Sequence, residues 1–113
     1  MSKSVILNDL LQVLDSKNDM VSIHIKNNNS LAKISGTHDE NFSLLEKISK
    51  TKINLRGNLI TIKGKEKDSD VVIKVLGNLL KKSFEKNYFE EDDIISVYNF
   101  ESNNTNAENL TFE

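Results

Sequence analysis

The thirteen residues "KINLRGNLITIKG", Lys52 to Gly64, constrain the fold more than any other part of the chain. Two alternating runs flank Gly57-Asn58, a pair suited to the positive backbone angles of a two-residue hairpin turn. With that turn, Leu55 faces Ile60 and Ile53 faces Ile62, so one side of the hairpin is wholly apolar. The other side carries Lys52, Arg56, Thr61 and Lys63. A slip of one residue would exchange the two faces for every side chain, so the pattern specifies the register. An isolated hairpin is at best marginally stable in water, so its apolar side requires a covering layer.

The remaining periodicities supply that layer. "VSIHIK", Val21 to Lys26, alternates with Val21, Ile23 and Ile25 on one face and Ser22, His24 and Lys26 on the other, which reads as a third strand. "SLAKIS" predicts a short helix capped by Ser30 and ended by Gly36. From Thr37 a second helix buries Phe42, Leu45 and Ile48. Thr37 and Glu40 have the spacing of a capping box, in which each side chain satisfies the other's backbone amide. "DSDVVIKVLGNLLKKSF" predicts a longer helix started by Asp68 or Ser69, with a stripe of Val71, Val72, Val75, Leu76, Leu79, Leu80 and Phe84. "DDIISVYNF" predicts a short final helix begun by Asp92 or Asp93. At the other end, "SVILNDLLQVLD" has helical spacing and predicts a helical extension over residues 1–20. The expectation is an α+β two-layer domain over residues 21–100, a three-stranded antiparallel sheet with helices on one face. Residues 101–113 lack periodicity and read as a disordered tail or interdomain linker.

Composition narrows the function. The 113 residues are 37% hydrophobic and 28% charged, which suits one small domain. No cysteine is present, so disulfides and thiolate metal sites are excluded. No apolar run spans a membrane and no secretory signal is apparent, so the expected location is cytoplasmic. The net charge of −2 hides a segregation. Seven of the 17 acids lie in residues 90–113, where Lys and Arg are absent. The ten others face all 15 bases, so residues 1–89 are formally +5 and the end −7. A mildly basic body suits weak nucleic-acid binding. His38, Asp39 and Glu40 are consecutive helix-start residues that point apart, and no further ligand cluster accompanies them, so no metal site is expected. No nucleophile with a base, and no carboxylate pair in an apolar setting, is legible, so no catalytic residue is assigned.

The order strand, helix, helix, strand, strand, helix resembles the minimal type I KH domain, a module that binds RNA and single-stranded DNA. In KH domains a GxxG loop between the two central helices clamps the nucleic-acid backbone. "GTHD", Gly36 to Asp39, occupies that junction. Lys33, Gly36, Thr37 and His38 around the loop, with Lys52, Arg56 and Lys63 on the hairpin, are the candidate nucleic-acid contacts. Asp39 replaces the second glycine, and with Glu40 it would repel a phosphate arriving at the helix N-terminus.

A narrower resemblance covers roughly residues 21–100. Gly36, His38, Asp39 and Asn41 resemble the glycine and "HDxN" of the N-terminal domain of PhoH-like proteins, bacterial P-loop ATPases. Leu45-Glu46 is similar to the "IE" of the next turn, and Arg56, Gly57 and Asn58 to an "RGN", with Gly64 closing the hairpin. The resemblance implies an ATPase domain in cis that binds ATP and magnesium. These residues do not supply that chemistry, because the P-loop pattern would need glycine at Leu59 and Ser or Thr at Glu66. The chain is therefore expected to be a piece of a longer protein, with no cofactor of its own. RNA or single-stranded nucleic acid is the expected partner. The alternative is a protein-interaction or homo-oligomerisation module.

Overall fold

The computed structural model describes residues 10–111, with side chains through residue 104. The strands are β1 (Leu11–Lys17), β2 (Met20–Ile25), β3 (Lys52–Arg56) and β4 (Leu59–Lys63). The helices are α1 (Asn28–Ser35), α2 (Glu40–Ser49), α3 (Glu66–Lys82) and α4 (Glu91–Thr111), with a 3₁₀ turn at Thr37–Asp39. The strands form one antiparallel sheet in the order β1-β2-β4-β3. The hairpin register is the expected one, Ile53 opposite Ile62 and Leu55 opposite Ile60. Val21, Ile23, Ile25, Ile60 and Ile62 are buried beneath a helical layer that contributes Leu31, Ile34, Phe42, Leu45, Val72, Val75, Leu76, Leu79 and Leu80 to one core.

The sheet has four strands where three were expected, because Leu11–Lys17 is a strand and not part of an N-terminal helix. The expected helical residues before Leu10 lie outside the described ones. Two local features disguise β1. Its register shifts between Val13 and Asp15, so Leu14 bulges and the period of two is broken. The turn to β2 is made by Asn18 and Asp19, whose φ angles of 53° and 63° are the left-handed pair of a tight hairpin. Asn and Asp tolerate that region better than other side-chain-bearing residues.

Helix starts also differ from expectation. Asn27, not Ser30, caps α1, its Oδ1 accepting from the Ser30 amide at 3.0 Å. Helix α3 begins at Glu66, ahead of Asp68 and Ser69, and ends before Phe84, which is 60% exposed. Ser69 is instead buried, and its hydroxyl has no partner among the described residues. At the start of α4, Asp93 Oδ2 accepts from the Glu90 amide at 2.8 Å, and Oδ1 accepts from Lys86 Nζ at 3.1 Å. The Glu90 amide, opposed by burial and aided by Lys86 and Lys82, holds the Asp93 carboxyl below its ordinary value. A depressed carboxylate stabilises above its unfolded pKa, and that stabilisation is lost as pH falls through the folded value. Asp93→Asn should therefore lower the thermal midpoint near pH 7, with the gap to wild type closing as the pH drops below about 4. A gap that persists at acid pH would assign the loss to packing.

The expected tail is helical as far as Thr111. Glu101 is half-buried and its Oε2 accepts from Asn78 Nδ2 of α3 at 3.0 Å, so α4 docks beyond the boundary expected at Phe100. Removing residues 101–113 should cost about 1 kcal/mol, or roughly 4–8 °C in a domain of this size. Calorimetry on the truncated chain checks this, and Glu101→Ala should reproduce most of the fall.

Candidate nucleic-acid interface

The seven residues singled out from the sequence divide between two separate places. Lys33, Gly36, Thr37 and His38 belong to the helical layer, at the end of α1 and in the loop to α2. Lys52, Arg56 and Lys63 stand on the sheet face turned away from that layer, and all three are exposed.

At the loop, Lys33 and Gly36 are committed to the fold, while Thr37 and His38 are exposed. Lys33 Nζ donates to the backbone carbonyl of Ser83 at 2.9 Å, capping the end of α3. Gly36 has φ 77° and ψ 179°. A Cβ there would stand 2.8 Å from Asn41 Nδ2. That buried amide donates to the Ile34 carbonyl at 3.1 Å, satisfying the end of α1 from the start of α2. The expected capping box is not formed, since no side chain bonds the first amides of the 3₁₀ turn or of α2. His38 and Asp39 are both left-handed, with φ 53° and 56°, and this kink carries Thr37 out of line with Glu40. Thr37, His38, Asp39 and Glu40 are exposed. Beside them a shallow hollow is lined by Glu40, Asn41, Tyr88, Phe89, Glu90 and Glu91. The acidic start of α4 thus sits against the loop, and a phosphate there would meet three glutamates.

At the outer edge of β3 another acid, from α2, is engaged. Glu46 Oε2 accepts from the amide of Ile53 at 2.6 Å, so a carboxylate satisfies the edge strand where an extended ligand would pair.

The open face of the sheet is different. Its registers place Lys17, Met20, Lys63 and Lys52 across one row, then Asp15, Ser22, Thr61 and Asn54, then Gln12, His24, Leu59 and Arg56. Lys17 was missed from the sequence because its segment read as helical. The signal that would have found it is the Asn18-Asp19 turn. Among the described residues, no carboxylate lies within ion-pairing distance of Lys17, Lys52, Arg56 or Lys63. Nor does any group of three His, Asp or Glu side chains among them have a metal-holding arrangement. No described helix is long and apolar enough to cross a membrane.

Of the residues on which the expected resemblance rests, Gly36, Asn41, Asn58 and Gly64 have structural roles. Gly36 and Asn41 interlock as described. Asn58 Nδ2 donates to the Ile25 carbonyl at 3.0 Å and its own carbonyl accepts from the Ile25 amide at 2.9 Å, joining the hairpin turn to β2. At Gly64, φ is 159° and a Cβ would lie 3.0 Å from Thr51 Cγ2. No family model and no curated protein matches the sequence.

Proposed function

We propose that this chain is a KH-like accessory domain of a PhoH-like protein, binding RNA or single-stranded nucleic acid for a P-loop ATPase domain in cis. The observation that carries this reading is the segment Met20–Lys82. It runs strand, helix, helix, strand, strand, helix, with β2 and the β3-β4 hairpin in one antiparallel sheet and a glycine-led loop between the central helices. The first strand and the final helix are additions to that unit. The interlocked Gly36 and Asn41 give the "G…HDxN" resemblance a physical reason, because the loop's path depends on both residues. ATP and magnesium belong to the proposed partner domain.

A second reading, a protein-interaction or oligomerisation module, is favoured by the acids that line the loop. Titration of labelled single-stranded RNA at low and high salt separates the two. Nucleic-acid binding through phosphates should weaken steeply with salt. Absence of binding at low salt overturns the first reading and leaves the second.

A further inference from the structure

We propose that single-stranded RNA lies across the open face of the sheet, with its phosphates on Lys17, Lys52, Arg56 and Lys63, and not along the loop between α1 and α2. This inference rests on the nucleic-acid reading above and assigns the surface that performs it.

The first ground is an unfavourable arrangement that a polyanion would relieve. Lys52 and Lys63 are directly opposite on neighbouring strands. Like charges so placed destabilise a sheet. Lys17 extends the same row beyond Met20. Asp15 is the single acid among the twelve residues of the three rows, and it stands one row away. A fold that retains uncompensated charge on one sheet face departs from local consistency as binding surfaces do.

The second ground is shape. Lys52 and Arg56 are four residues apart along β3, roughly 13 Å at the usual strand rise. The cations therefore stand at both ends of the hairpin, with Ser22, Thr61 and Asn54 between them as hydrogen-bonding groups. Phe, Tyr and Trp are absent from those twelve residues and His24 is their one aromatic ring, so base stacking contributes little at this surface. Recognition here is of backbone charge, tolerant of sequence. The third ground is exclusion. Lys33 is held by Ser83, Glu46 occupies the edge of β3, and Glu40, Glu90 and Glu91 line the hollow where the loop enters α2.

The test is fluorescence anisotropy of the whole chain with a labelled oligouridine of roughly 12 nucleotides. Four phosphate contacts give a log–log salt slope of about −2.8, at about −0.7 per contact. Lys52→Glu creates a cross-strand ion pair with Lys63, so it should leave the thermal midpoint unchanged or raised while weakening binding about tenfold or more. Arg56→Gln and Lys17→Gln should each reduce the slope by about 0.7. Asp39→Gly, which completes GxxG, should leave affinity within about twofold. Wild-type affinity and slope in the sheet variants, or strong tightening by Asp39→Gly, would place the RNA at the loop; the nucleic-acid reading would then stand and this inference fall. Competition by polyglutamate equal to that by oligouridine would assign the face to an acidic protein and overturn the inference. No binding by the wild-type chain at low salt overturns both.

Discussion

Gly36→Ala should destabilise the domain by about 2–4 kcal/mol, in a protein whose whole stability is expected to be on the order of 5–15 kcal/mol. The φ of 77° with ψ 179° is a backbone region essentially reserved for glycine. The added methyl would also press on Asn41 Nδ2, whose donation to the Ile34 carbonyl joins α1 to α2. Asn41→Ala should cost about 1–3 kcal/mol alone, since it leaves a buried carbonyl unpaired. The double variant isolates the clash, because Gly36→Ala should cost less once Asn41 is gone. Chemical denaturation of the four proteins measures the cycle. Strict additivity would show that the backbone angle alone requires the glycine.

Phe89→Ala should be as damaging, about 3–5 kcal/mol. Phe89 is 2% exposed and anchors the connection between α3 and α4, with Ile94 and Val97 completing its side of the core. Tyr88 beside it is 62% exposed, and Lys86 Nζ lies 5.8 Å from the Phe89 ring centre. Tyr88→Ala should therefore leave stability almost unchanged. Near-equal thermal midpoints for the two variants would mean that α4 docks through its helix alone.

The candidate site was partly legible. Lys52, Arg56 and Lys63 could be placed on one exposed face because the hairpin pattern specifies the side to which each residue points. Lys17 could not join them, since the bulge at Leu14 sets Val13 and Leu14 side by side and imitates helical spacing. The engagement of Lys33 was illegible for a different reason. Its partner, the Ser83 carbonyl, is fifty residues away in the chain and becomes a neighbour only when α1 and α3 pack. The acidity around the loop was visible in Asp39 and Glu40, but the arrival of Glu90 and Glu91 depended on where α4 docks.

By itself the sequence determined what short-range periodicity can encode: the β3-β4 register, the inward face of β2, and the apolar stripes of the helices. Those choices follow from alternation and helical spacing, which act over a few residues. Tertiary structure decided what depends on partners distant in the chain. It paired Leu11–Lys17 with β2 as a strand, since hydrogen bonding to a neighbouring strand outweighs a weak helical preference. It replaced the Thr37–Glu40 box with the Asn41 bond to Ile34. Burial of Phe89 and exposure of Phe84, two phenylalanines in one short segment, were likewise settled by which helix surface lay within reach.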